Sequence, residues 1–344
     1  MRSPARLRTP RGPSPVQLAL GATAVGLTAV AATALPLLTY SLSLALFGLA
    51  HVAAELRYVG RRFGGRVRSG LLVGLCALLT MIVGLRLAQQ TGLWQGTGRL
   101  QAELVVVVAL AGLALPPLLR SAGLPLGIGL GAAGLLITGL LLSPIGTVLV
   151  LACLHNLTPM GFLAEALRGP ARREALGLAG LVFIGVPLLI ATGLPAAGLG
   201  ALGLRAPELS LLPTGPLAAQ FSAYLPHSLH ESSWAPDAFS ALVFAQCMHY
   251  AAVLHVLPRV ADASGSPREA VPIRWLWRGL TLVVAVTLLA VFLIDFKTAR
   301  GWYGIFASVH AWSEVPLLLL AMVPLAGVAP QAASSSRQST RPRP

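Results

Sequence analysis

The sequence predicts an all-α fold, a polytopic bundle of transmembrane helices, and three observations carry that prediction. The 344 residues are 56% hydrophobic and 10% charged, with a mean hydropathy of +0.77; a soluble domain carries roughly 25% charged residues. Apolar runs of about 20 residues, the length that crosses a hydrocarbon core, recur along the chain. Arginines gather in alternate gaps between those runs.

Taken in order, the runs predict about ten spans, with eight as the lower count, near residues 15–34, 36–56, 70–88, 102–119, 123–142, 145–166, 175–193, 238–257, 275–294 and 303–327. A basic segment, 1–14, precedes the first. That start resembles a signal peptide, but its apolar part is long and a second run follows at once, so it is expected to stay as a span. Pro36 divides the first two runs, because proline cannot continue a helix and restrains the residue before it. "PPLLRSAGLPLG" is a turn separating 102–119 from 123–142, and the Gly/Ala content of the latter suits close helix packing. Within the predicted transmembrane domain, 15–327, residues 194–237 form a long extracytoplasmic loop. The tail 328–344, with "APQAASSSRQSTRPRP", has a disordered composition. No repeat of whole spans is visible.

The net charge of +14 is an orientation signal. With both termini cytoplasmic, the outer segments hold only Arg86, Arg99, Arg205, Lys297 and Arg300, and every other basic residue falls inside. That is the bias of a multi-pass protein of a bacterial-type inner membrane, and it leaves no case for nucleic acid as a partner. Cys76, Cys153 and Cys247 lie singly in apolar runs with no C-x-x-C pair. A disulfide framework and a zinc ribbon are thereby excluded, and the cysteines are expected as small buried residues.

Ionisable residues at membrane depth are functional-site candidates, and this chain has a set of them. "HVAAE" carries His51 and Glu55, "LHNLTP" carries His155, "AQCMHYAAVLHVLPR" carries Gln246, His249, Tyr250 and His255, and "HAWSE" carries His310 and Glu314. An i,i+4 His–acid pair puts both side chains on one helix face, where they serve as two metal ligands or as a ligand and its hydrogen-bond partner. His249 and His255, six apart, lie roughly 120° from each other around an α-helix and are expected to look into the bundle at two levels. Five histidines and two carboxylates thus predict a metal site, with Tyr250 and Gln246 as hydrogen-bonding partners in its pocket. Arg57, Tyr58, Arg61 and Arg62 read as anchors at the inner interface, and Glu165 lies at the inner end of the sixth span. His227, His230 and Glu231 read as solvated loop residues.

Imidazole and carboxylate together suit iron, zinc, copper or manganese. A metal among membrane helices meets lipophilic small molecules, which predicts an oxygenase that uses iron, mononuclear or dinuclear, with O2 and where needed an electron donor. The single histidines on several helices, with "HVAAE", "HAWSE" and a late histidine pair over residues 36–327, resemble the Brp/Blh family of bacterial membrane carotene dioxygenases. The resemblance implies a helical membrane fold and histidine-held iron cleaving a carotenoid. The family pattern has fewer spans and a closer late histidine pair. Two alternatives stand beside it: a haem-binding or quinol-linked electron-transfer protein, with His155 and His249 as axial pair, and a proton-coupled transporter.

Overall fold

The structure, a computed structural model, describes residues 14–64, 69–96, 98–119, 124–263 and 274–321. The tail 328–344 and, apart from Ser14, the basic segment 1–14 lie outside them. Every regular element among the described residues is helical: α1 (Pro15–Ala34), α2 (Pro36–Phe63), α3 (Ser69–Gln90), α4 (Gly98–Gly112), α5 (Leu115–Leu119), α6 (Leu124–Leu142), α7 (Pro144–His155), α8 (Thr158–Ala166), α9 (Gly169–Gly180), α10 (Val186–Ala191), α11 (Leu194–Ala201), α12 (Leu217–Gln220), α13 (Ala235–Ala251), α14 (Leu257–Ala263), α15 (Arg274–Ile294) and α16 (Phe296–Ala321). One π turn, Leu181–Gly185, joins α9 to α10, and another, Ala252–Val256, joins α13 to α14.

Local chemistry sets most of the boundaries. Ser14 caps α1 reciprocally with Gln17, and proline follows the cap in α1 and α7 and starts α2, where its missing N–H costs nothing. The division at Pro36 falls where the sequence places it. Six of the continuous helical stretches are long and apolar enough to cross a membrane, and the bent pair α7–α8 makes a seventh. Two of the remaining predicted spans hold shorter apolar stretches, Leu126–Leu142 and Leu282–Ile294. The third, 102–119, is broken into α4 and α5 by a turn at Leu113–Ala114.

The bundle has an inside and an outside. Within their apolar windows, 67% of Ala235–Asp262 and 44% each of α2 and α16 are buried, against 6% of α3 and 11% of α1. The central helices α2, α13 and α16 therefore carry the core, with Phe239, Phe244 and Phe296 fully enclosed. The outer ones turn long aliphatic side chains outward, as a bilayer-facing layer does. Cys76 is exposed on α3 rather than buried, and Cys153 and Cys247 are partly buried. At the arginine-rich end, Arg62 grips Glu165 of α8 through two nitrogens at 2.8 and 3.1 Å. Arg61 reaches Asp262 of α14 at 2.7 Å. Two of the predicted interfacial anchors, Arg61 and Arg62, are thus ion-paired clamps between helices. At the other end the 194–237 segment folds back: Ala206 N–H bonds Ala34 O, the Glu208 carboxylate accepts from Leu217 N–H, and Leu212, Leu217, Phe221 and Leu225 join the core.

Close approach of α2 to α16 depends on Gly48, where a Cβ would stand 2.8 Å from Tyr303 Cε2. Gly48→Val is expected to lower stability in detergent by about 1–3 kcal/mol through overpacking. Gly21→Val, where nothing lies within 4 Å, is expected to leave the thermal midpoint unchanged.

Candidate metal centre

Four histidines, each from a different helix, meet inside the bundle. His51 comes from α2, His155 from the end of α7, His249 from α13 and His310 from α16, and one ring nitrogen of each lies within 4.8 Å of all the others. His310 Nε2 is 3.1 Å from His51 Nε2 and 3.1 Å from His155 Nε2. At metal–nitrogen bonds of about 2.0–2.2 Å, neighbouring ligands of one ion stand roughly 3 Å apart, so these two spacings match neighbouring ligands of a single ion.

Two of the rings have their tautomers set from behind. His51 Nδ1 faces the Phe47 carbonyl at 3.3 Å; a carbonyl only accepts, so Nδ1 carries the proton and Nε2 presents its lone pair to the cluster. His155 Nδ1 donates to Glu314 Oε2 at 2.7 Å, which turns its Nε2 inward in the same way. Thr158 Oγ1 stands 3.1 Å from Glu314 Oε1. His310 Nε2, placed against both lone pairs, can donate a proton to only one of them. Both nitrogens of His249, Nδ1 of His310 and both oxygens of Glu55 are buried with no hydrogen-bond partner. Glu55 Oε2 lies 3.5 Å from His249 Nε2 and 4.0 Å from His310 Nε2. Buried acceptors left unpaired are costly, and a cation in the cluster would satisfy one nitrogen of His249 and an oxygen of Glu55, while the far nitrogens of His249 and His310 would stay outside it. The donor set fits iron, copper or zinc.

His155 owes its position to a break in its helix. Pro159 lacks an N–H and its ring opposes the carbonyl four residues back, that of His155. The chain bends 46° between α7 and α8, and the Thr158 hydroxyl takes up the freed carbonyl at 2.8 Å.

Of the predicted ligands, His51, His155, His249 and His310 converge. Glu55 stands beside them as a further donor, and Glu314 acts through His155 rather than at the cluster. His255 is corrected: it is exposed and lines a separate groove between α1, α2 and α13. The cause is the π turn Ala252–Val256, whose smaller rotation per residue carries His255 to the side of the helix away from His249. The late histidine pair therefore does not act as a pair. Tyr250 stacks on His51, with ring centroids 4.0 Å apart, and its hydroxyl meets that of Tyr303 at 3.3 Å. Gln246 is one step removed, donating to Ser43 Oγ at 2.9 Å and accepting from the Tyr224 hydroxyl. His155 and His249, the axial pair of the haem alternative, have ring centroids 4.5 Å apart, which leaves no room for a porphyrin plane between them. His227 stays exposed, while His230 is half-buried, bonded to the Leu225 carbonyl at 3.1 Å and set against Phe221.

Sequence reasoning missed several groups. Tyr303, seven residues before His310 on the same face of α16, was legible from spacing. Tyr224 and Gln220, brought in by the covering segment, were not. The fully buried Glu103 accepts from Arg86 (2.9 and 2.5 Å), Arg99 (2.7 Å) and Trp312 Nε1 (2.9 Å), tying α3 and α4 to α16 next to the cluster. A cavity of about 520 Å³ opens onto His51, His155 and His310, within the usual range for a small-molecule site.

Alanine at His51, His155, His249 or His310 is expected to abolish stoichiometric metal in the purified protein, as read by elemental analysis. His255→Ala is expected to retain it. Glu314→Gln, which keeps a hydrogen bond but removes the charge behind His155, is expected to weaken metal affinity about 10–100-fold in a chelator competition.

No family model, no curated protein and no solved structure matches the chain.

Proposed function

We propose that the chain is a membrane-embedded, iron-dependent oxygenase acting with O2 on a lipophilic substrate of the isoprenoid, carotenoid or lipid class. The observation that carries this reading is the four-histidine cluster opening onto a largely apolar cavity inside a membrane bundle. Copper and zinc also suit imidazole; iron is preferred because the Brp/Blh resemblance points to it, and bound iron would supply the activation of dioxygen. The four histidines would hold the metal, with Glu55 as the nearest further donor. Glu314 and the Phe47 carbonyl keep two of the rings in the ligating tautomer. Tyr250, stacked on His51 and bonded to Tyr303, fixes one wall and offers a hydroxyl proton at the edge of the site.

Access fits the same reading. The cavity is lined by Leu151, Leu154, Val315 and Leu318, and Leu154 is 51% exposed on the outer surface. A substrate dissolved in the bilayer would reach the histidines sideways, without crossing water. The arginine bias supports a bacterial-type inner membrane with both termini cytoplasmic. A dioxygenase would place both oxygen atoms in its product and need no outside reductant; a monooxygenase would draw two electrons from a donor.

Elemental analysis of protein purified from iron-replete cells is expected to show stoichiometric iron without a Soret band, and chelation is expected to stop substrate-dependent oxygen uptake. Expression in carotene-producing cells is expected to bleach the pigment in air. Protein with no bound metal overturns the reading. Persistent colour with iron loaded and oxygen present removes carotene from the substrate class.

A further inference from the structure

One wall of the cavity is a stripe of α16 in which chemistry changes along the helix. Arg300, Tyr303, His310, Glu314 and Leu318 all line it, and Arg300 lies ten residues before His310, about 15 Å of helical rise. Beyond the histidines, at Val315 and Leu318, the wall is apolar. Before them it carries Tyr303, Ser308 and Arg300, and of the two arginines that line the cavity Arg86 is committed to Glu103 and the Gly304 carbonyl.

Arg300 is held in place but not neutralised. Its Nη1 donates to Gln220 Oε1 at 2.8 Å and reaches the Tyr40 hydroxyl at 3.4 Å; Tyr40 and Gln220 are 2% and 5% exposed. Among the described residues no carboxylate lies within ion-pair distance of it. The outward arginines around it are different: Arg86 and Arg99 share Glu103, and Arg205 pairs with Asp237 at 3.0 Å. A partly buried guanidinium turned into a cavity at the end of a membrane helix, its Nη1 engaged and its Nε–Nη2 edge bonded to none of the described residues, is suited to an anion that arrives with the ligand.

We propose that the cavity takes an amphiphile with an anionic head, a lipophilic carboxylic acid or its phosphate counterpart. Arg300, steadied by Gln220 and Tyr40, holds the head, and the apolar chain runs along α16 past the histidines. This assignment rests on reading the cavity as the substrate site. It makes Arg300 a positioning residue that chooses which part of the chain lies at the cluster.

The test uses the purified full-length protein in detergent, with its iron content measured beforehand. Parinaric acid, a polyene fatty acid whose fluorescence rises in apolar surroundings, is titrated against its methyl ester, which keeps the chain and removes the charge. The acid is expected to bind at least about tenfold tighter, a difference of about 1.4 kcal/mol. Arg300→Gln is expected to erase that preference and Arg300→Lys to keep part of it. Equal affinities in the native protein, or an undiminished preference in a folded Arg300→Gln protein, overturn the proposal. The native comparison decides even if the variant does not fold. Displacement by oleate supports a carboxylate head, and displacement by lysophosphatidate alone a phosphate one. Intact acid preference without iron or oxygen uptake would sink the oxygenase reading and leave this assignment standing. Iron-dependent oxygen uptake with a hydrocarbon and no acid preference would do the reverse.

Discussion

Four imidazole nitrogens pressed together in a hydrocarbon-embedded core are the constraint on which the rest of this molecule depends. In water such a group would scatter, since nitrogens with lone pairs facing one another gain nothing by meeting. Here each ring is carried on a separate helix, and the scaffold forces the meeting. His51 is locked by its own helix carbonyl and His155 by Glu314. His249 and His310 are enclosed to 0% and 1% exposure. The cost of those unpaired acceptors falls on the packing of α2, α13 and α16, which are accordingly the helices with the deepest burial. Everything more peripheral, α1, α3 and the α9–α10 arm, is chiefly a lipid-facing jacket around that triad.

His155 shows how a defect is used. A straight span through residues 144–166 would hold all its backbone bonds and carry His155 past the centre. Pro159 interrupts it, the chain turns, and the one Thr158 hydroxyl hydrogen stands between the freed carbonyl and the carboxylate that orients the ring. Non-helical backbone at this depth is tolerable because it faces a cavity and protein groups rather than lipid.

Much of this was legible from the residues. Hydropathy located the helices, Pro36 the first break, and the His-x-x-x-acid spacing in "HVAAE" and "HAWSE" named both carboxylates. Spacing alone could not separate their roles, because whether Glu55 or Glu314 stands at the cluster depends on how α7 crosses α16. The reading failed at His255 because it assumed α-helical rotation throughout, and nothing in "AAVLHV" announces a wider turn. It also overlooked Glu103 and the covering segment. Glu103 was passed over although Arg99 stands four residues before it on the same helix, because Arg86 and Trp312, which complete its partners, are near it only in space. Residues 194–237 were treated as a loop although their leucines and Phe221 are core. The broken 102–119 run shows the limit of composition: apolar content sets what a segment tolerates, while helix continuity is settled by packing.

The π turn after His249 also reconciles two separate angular demands. The first half of that span must aim His249 and Tyr250 at the cluster. The second half must aim Asp262 at Arg61, 2.7 Å away, at the far end of α2. A uniform α-helix fixes the angle between those two directions by residue count alone. The wider turn acts as a phase adjuster, delaying the rotation so that one continuous helix can serve the buried centre and the surface clamp together. The length of this span is therefore not free: a residue gained or lost inside Ala252–Val256 would leave one end in phase and throw the other out.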